Sequence, residues 1–239
     1  MNVVQPTSGI IFASASIGFY NYMSERKRSK HIEQIFGKYV SNEVKNQIVL
    51  QEDGRIPLTE REVSVLFVDM SDHSNWVTQI PIKQLADELN EFMDSMVQAV
   101  LEHGGTVSRF MGDGLMALYN ALVDQSDHAL RAIKSGLSMQ KHIKELNDRR
   151  MMESKQPIYV RVGINTGLAM AGALGGKDRF EYTVIGHSVN MAKRVEEQCE
   201  PGKVAVTDKV INKLNGNVQS KYVGKQTVKG GVFELYYVS

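Results

Sequence analysis

The run Glu62–Met70, EVSVLFVDM, limits what this chain can become more than any other stretch. Its branched and aromatic side chains predict a buried strand, and the strand closes on a carboxylate, Asp69. Apolar periodicity supplies its neighbours. Leu85, Leu89, Phe92, Met93, Met96, Val97 and Val100 share one face of a helix that Pro81 opens and that runs to His103, where Gly104-Gly105 ends it. Thr106–Met111 and Leu115–Tyr119 read as two strands around Gly112-Asp113-Gly114, a tight hairpin signal. Asp127–Asn147 is a second amphipathic helix. Ile158–Asn165 and Leu168–Ala173 are strands separated by Thr166-Gly167, and Glu181–Ile185 is another. His187–Gln198 is a helix stopped by Pro201-Gly202, and the tail from Lys203 to Val238 gives short strands and one short helix. Strand, helix, strand, strand, helix, strand is the order of an α+β, ferredoxin-like core.

Composition narrows the function classes. Of 239 residues, 42% are hydrophobic and 23% charged, which suits a globular domain with a sizeable core. The net charge of +1 provides no global field for nucleic acid or an acidic partner, so an anionic ligand must be held by local charges. The single cysteine, Cys199, excludes an intramolecular disulfide and a zinc site built on cysteines. It follows a helical pattern and reads as a small packing residue rather than a nucleophile.

The N-terminus is a separate problem. Gly9–Tyr22 is apolar and small, and Glu25-Arg26-Lys27-Arg28 follows. The uncharged stretch is short against the roughly 20 residues of a membrane span, and it lacks the basic start of a secretory signal. Two readings stay open: the end of a last transmembrane helix with its basic cluster on the cytoplasmic side, or a tail packed on a partner or disordered. Ser24–Leu50 reads as helical, with Ile32, Ile35, Phe36, Tyr39 and Val40 at spacings of three and four. Gly54 and Pro57 then mark a linker. The expected organisation is an apolar segment over residues 1–23, a helical transducer over 24–57 and the main domain over 58–239.

Asp69 closes an apolar strand, and Asp113 lies in a hairpin turn that can sit beside it. Two carboxylates on adjacent strand ends can bind two hard cations and so assist an in-line phosphoryl displacement. On spacing alone, Asp113 is better explained as a turn former between two glycines. After Asp69, the segment Met70-Ser71-Asp72-His73-Ser74-Asn75 is small and polar and precedes a helix, so its backbone N–H groups can cradle phosphates. The glycine-rich phosphate-loop pattern is absent. Within the segment His73 reads more readily as a solvent-exposed side chain than as a ligand.

From about Arg61 to Val238 the sequence resembles the class III adenylate and guanylate cyclases. The resemblance rests on ordered blocks: VSVLFVDM, LNEFMDSMVQAVLEHGGTVSRFMGDGLMALY, HALRAIKSGLSMQ, VRVGINTGLAMAGALGG, DRFEYTVIGHSVNMAKRVE and VKG. The upstream IFGKYVSNEV is similar to a segment found in bacterial members after membrane or sensor domains. The resemblance implies the nucleotidyl cyclase version of the ferredoxin-like fold, preceded by a helical extension. It implies conversion of ATP to cyclic AMP and pyrophosphate with two divalent cations, Mg2+ or Mn2+. By position, Asp69 and Asp113 match the metal-binding aspartates, with the Met70 carbonyl an extra ligand. Ser71, Asp72, His73 and Ser74 fall in the triphosphate segment. Arg161 and Lys229 match triphosphate contacts. Asn190 and Arg194 match the pair that orients the ribose and stabilises the transition state. The attacking group is then the substrate's own 3′-hydroxyl. GGKDRFEY resembles a dimerisation arm.

In the family the site lies between subunits. Asp69, Asp113 and Arg161 would come from one chain, and Arg109, Thr183, Asn190, Arg194 and Lys229 from the other. Both sets occur here, which implies a symmetric homodimer. Two positions depart from the family pattern. Base selection commonly uses lysine where this chain has Arg109, with Thr183 at the second position. A cation donates to adenine N1 and a threonine hydroxyl accepts from the amino group, so ATP is favoured, although an acid that held Arg109 would loosen selectivity. His187 stands where aspartate is common. The alternatives are a guanylate or dual-specificity cyclase, and a degenerate domain serving as a nucleotide-binding or dimerising regulator. The metal pair with Asn190, Arg194 and Lys229 argues against the latter, and the absent GGDEF signature excludes diguanylate cyclases.

Overall fold

The computed structural model describes Met23, Arg26, Lys27 and residues 56–176, 180–214, 216 and 218–239. The chain divides into two units, Met1–Asn46 and Gln47–Ser239. In the first, Met23, Arg26 and Lys27 are helical and exposed. The apolar stretch Gly9–Tyr22 and nearly all of the expected transducer helix lie outside the described residues. Among the described residues no helix is long and apolar enough to cross a membrane.

The second unit is an eight-stranded sheet with helices on both faces. In chain order it runs β1 (Thr59–Met70), α1 (His73–Gln79), α2 (Ile82–Leu101), β2 (Thr106–Phe110), β3 (Gly114–Tyr119), α3 (His128–Met152), β4 (Val160–Gly175), β5 (Phe180–Ile185), α4 (His187–Glu197), β6 (Lys203–Thr207), α5 (Asp208–Ile211), β7 (Ser220–Val228) and β8 (Gly231–Val238). The strand order is β2-β3-β1-β4-β6-β8-β7, with β5 attached to β4. β1 lies between β3 and β4 and is antiparallel to both, the arrangement expected of a ferredoxin-like core.

The apolar run of β1 is continuous because both of its faces are covered. Strand alternation sends Leu66, Val68 and Met70 to the face where α2 contributes Phe92, Met96 and Val100 and α3 contributes Ile133, Met139 and Leu146. Val63, Val65 and Phe67 point the other way, onto a cluster that includes Ala192 of α4. Cys199 is buried as a packing residue beside Val195 and Leu235, and burial pushes its thiol up to about 11. A thiol so protonated is a poor nucleophile at neutral pH.

Three local expectations are corrected. Thr166-Gly167 does not break the strand: β4 is continuous, with Thr166 opposite Ser64 and Gly167 opposite Val63. The Ser64 and Thr166 hydroxyls meet at 2.6 Å. The glycine serves close approach rather than a turn, since a Cβ at Gly167 would stand 2.5 Å from Ser188 Oγ at the start of α4. The polar segment after Asp69 is partly helical, because Asp72 takes a left-handed conformation (φ 61°) and its carbonyl accepts from Asn75 and Trp76. Finally, α3 runs past Asn147 to Met152. Asn147 pairs with the backbone of Ile158 through both side-chain atoms, and Arg150, one turn on, reaches buried Glu88 at 2.8 Å.

Candidate active site

The hairpin delivers Asp113 to the end of β1. Gly112 adopts φ +67°, and the Met111 N–H donates to the Gly114 carbonyl at 2.8 Å, closing a turn whose central residues are Gly112 and Asp113. Gly114 pairs directly with Asp69. A Cβ at Gly114 would come within 2.3 Å of the Val68 carbonyl oxygen and 2.9 Å of Asp69 Oδ1, so only glycine lets the hairpin close on that carboxylate. Asp113 is therefore the turn former its spacing suggests and also a neighbour of Asp69. Burial, and after it the Asp69 charge, hold Asp113 above the usual carboxylate range. A pair of carboxylates made costly to ionise side by side is a site that cations relieve. Among the described residues no group of three or more His, Cys, Asp or Glu side chains forms a metal cluster. Two neighbouring carboxylates suit hard cations that take further oxygens from water and phosphates, rather than zinc, which favours nitrogen and sulfur ligands.

The polar segment after Asp69 borders the same place. The Met70 N–H donates to the Asp113 carbonyl at 3.2 Å and the Ser71 N–H to the Tyr159 carbonyl at 2.8 Å. Ser71 Oγ is buried with no protein partner. His73 is not simply solvent-facing. Its Nδ1 lies 3.5 Å from Asp113 Oδ2 and its ring stacks on Trp76 at 5.9 Å. Asp72, which caps α1, and Ser74 in its first turn are exposed.

Arg161, opposite Asp69 in the β1–β4 ladder, closes a ring of alternating charge that the sequence reading missed. Its Nη2 donates to Asp69 Oδ2 at 3.3 Å and its Nε lies 3.2 Å from Glu196 Oε1. Glu196 Oε2 is paired with Lys193 Nζ. Lys193 Nζ returns to Asp69 Oδ2 at 3.5 Å. Glu196 is fully buried, and burial pushes its carboxyl up. It is wedged there because β4 has Gly163 beneath it; a Cβ on Gly163 would lie 2.1 Å from the Glu196 backbone nitrogen. The available signal was the i, i+3 spacing of Lys193 and Glu196 on a predicted helix.

The remaining expected site residues lie elsewhere in the unit. Arg109, at the outer end of β2, donates through Nε and Nη2 to Glu181 Oε1 and Oε2 of β5 at 2.8 and 2.9 Å, a two-point contact that raises the Arg109 pKa. Exposed ion pairs contribute about 0–1 kcal/mol, so this contact matters for where Arg109 points more than for stability. Thr183, two residues on, is buried opposite Gly172. Asn190 is exposed on α4, and Arg194 is half-buried with Nη1 donating to Glu197 at 2.6 Å. Lys229 is exposed in the β7–β8 turn; beside it, Gly230 abuts the exposed His187 ring. Among the described residues no hydrogen bond or ion pair links these five to Asp69 or Asp113.

The family model for the adenylate and guanylate cyclase catalytic domain matches residues 58–239. The chain is 28% identical over 198 residues to Adenylate cyclase 1 of Rhizobium meliloti (strain 1021), covering 82% of this chain and 30% of that protein. The crystal structure of the adenylyl cyclase CyaB from P. aeruginosa superposes with a TM-score of 0.74 at 28% identity, covering 77% of this chain and 96% of that one. The guanylyl cyclase Cya2 gives a TM-score of 0.69, also at 28% identity, with 76% and 93% covered. This chain belongs to the adenylate and guanylate cyclase catalytic domain family. It spans about a third of the length of the bacterial curated relatives it matches.

Proposed function

We propose that the domain is an adenylate cyclase, converting ATP to 3′,5′-cyclic AMP and pyrophosphate with Mg2+ or Mn2+ at sites shared by the two chains of a homodimer. The observation that carries this reading is the convergence of Asp69 and Asp113 across the glycine contact at Gly114. Asp69, Asp113 and the Met70 carbonyl would hold two cations. Bound there, they would lower the pKa of the 3′-hydroxyl and neutralise charge on the triphosphate. The chain's own residues bind and orient. Ser71–Ser74 and Arg161 face the triphosphate, and the buried, unpartnered Ser71 hydroxyl has a donor to offer. From the second chain, Asn190 orients the ribose, Arg194 donates to the α-phosphate as negative charge builds, and Lys229 meets the β- and γ-phosphates. No protein nucleophile is required.

Three observations support the shared site. Both residue sets occur in one sequence, and among the described residues no hydrogen bond or ion pair within the chain joins one set to the other. Phe110, Leu168, Leu174 and Ile185 are large apolar side chains left exposed on β2, β4 and β5; Phe110 follows Arg109 and Leu174 pairs with Glu181. Exposed apolar surface of this kind marks association. An upstream membrane or sensor region remains the expected source of regulation, in keeping with relatives much longer than this chain.

ATP is the favoured substrate because Arg109 can donate to adenine N1 and Thr183 can accept from the 6-amino group. Cyclases of both base preferences are equally similar at 28% identity, so the choice is read from this chain's own residues. The Arg109–Glu181 pair favours one second reading, dual specificity, because two of Arg109's donor positions are already engaged. The test is a competition assay with ATP and GTP. Arg109→Lys should keep or raise kcat/KM for ATP, and a switch to GTP would overturn the assignment. Glu181→Gln should release Arg109 and raise the ATP-to-GTP ratio of kcat/KM by up to about tenfold, the scale of one ordinary hydrogen bond. An unchanged ratio would separate Glu181 from base selection.

A further inference from the structure

The ring Asp69–Arg161–Glu196–Lys193 does something that the proposed roles leave unused. Lys193 has no part in the transition-state pair formed by its helix neighbours Asn190 and Arg194, yet its ammonium is 3.5 Å from the oxygen of a metal-binding aspartate. The same ammonium is paired with Glu196, a carboxylate with no solvent exposure. Lys193 itself is about a third exposed, so its flexible stem can shift toward either acid. Glu196 cannot follow, because Gly163 and the sheet hold its backbone.

We propose that Lys193 is a positioning residue that acts as a built-in counter-cation for Asp69, and that Glu196 receives it when a divalent cation takes its place. This rests on the metal-site reading of Asp69 and adds a determinant of its affinity. With the ammonium on Asp69, a cation must displace an existing favourable contact, so its net gain is smaller than at a bare carboxylate. Glu196 lessens that penalty by keeping a second anion within reach of Lys193, so the displaced charge is never left unpaired beside buried surface. Arg161 completes the exchange, since its Nε edge faces Glu196 while its Nη2 is directed at Asp69, where the triphosphate is expected. Metal loading thus replaces Lys193 at Asp69 without breaking the Arg161–Glu196 side of the ring.

The consequences have opposite signs for two residues three apart on one helix. Removing the lysine charge should tighten metal binding; removing the Glu196 charge should weaken it, and only while Lys193 is present. The probe is Mn2+ alone, titrated into the full chain at low ionic strength and followed through the free-ion paramagnetic resonance signal. Lys193→Met should tighten Mn2+ binding about fivefold, the scale of a partly exposed charge pair. Lys203→Met removes the same charge from an exposed position at the start of β6, two strands from Asp69 and with no ion pair to it among the described residues, and should change binding by less than about half as much, by screening. Glu196→Gln should weaken binding about threefold in the parent and leave it unchanged in the Lys193→Met background, the non-additivity expected of groups in one network. Equal shifts for Lys193→Met and Lys203→Met, or no shift in either, would overturn the proposal. Should Glu196→Gln fail to fold by circular dichroism, the two lysine variants still decide. Asp69→Asn separates the layers: if it leaves parent Mn2+ binding intact, the metal site itself is misassigned; if it abolishes binding while Lys193→Met is silent, only the counter-cation is wrong.

Discussion

Asp69→Ala should reduce cyclic nucleotide formation by about a thousandfold or more, since loss of a metal-held charge removes several kcal/mol of transition-state stabilisation. The fold should survive the change. Asp69 is at the end of β1, partly exposed, and its side chain contributes to none of the apolar clusters that hold the sheet to its helices. Its backbone pairings with Gly114 and Arg161 do not depend on the carboxylate. Loss of the acid also relieves Asp113 of its neighbour's repulsion. Far-ultraviolet circular dichroism, thermal melting and gel filtration against the parent check the fold, while cyclic product is measured with saturating nucleotide and Mn2+. Retained turnover in a folded Asp69→Ala dimer would defeat the two-metal reading.

The second large effect is a recovery. Asp69→Ala and Arg194→Ala should each be inactive alone, and mixing them should restore activity. A heterodimer places both lesions in one site and leaves the other intact. Random exchange makes half of the dimers mixed, each with one of two sites working, so the expected return is about a quarter of parent activity. The same mixing of Asp69→Ala with Asp113→Ala should return nothing, because those two residues belong to the same half-site on one chain. Differentially tagged chains and native mass spectrometry establish that heterodimers form. Heterodimers without activity in the first mixture would break the shared-site account, and activity in the second would assign the halves wrongly.

Much of the architecture was legible in the sequence. The run EVSVLFVDM reads as buried because it is covered from both sides, by α2 and α3 on one face and α4 on the other. The helical face from Leu85 to Val100 is visible at helical spacing for the same reason: apolar burial imposes its period on the sequence. Where burial is not the governing force the reading failed. Thr166-Gly167 resembles a break, but its glycine answers a contact from Ser188 more than twenty residues away, which local propensity does not carry. Asp72 starts α1 from a left-handed conformation that a run of small polar residues does not announce.

The site was legible in unequal parts. Spacing alone leaves Asp113 a turn former, and the turn is real. What makes it a site is the missing side chain of Gly114, which lets the hairpin close on Asp69; that is a fact of packing, not of spacing. The resemblance to the cyclases supplied the remaining residues by position. It did not reveal that Arg109 is held by Glu181, or that Lys193 and Glu196 complete a charge ring with Asp69 and Arg161. Those contacts join β2 to β5, and β1 to β4 and α4, and so exist only once the sheet is assembled. His73 is intermediate. Its sequence context suggested solvent, whereas stacking on Trp76 turns its ring toward Asp113.

The most direct measurement of the central claim follows both products from purified dimer supplied with Mn2+ and either ATP or GTP. Cyclic AMP and pyrophosphate are expected in equal amounts from ATP, with a smaller yield of cyclic GMP from GTP. Cyclic product from GTP alone would contradict the assignment of the base, and the absence of cyclic product from both nucleotides would contradict the assignment of the enzyme.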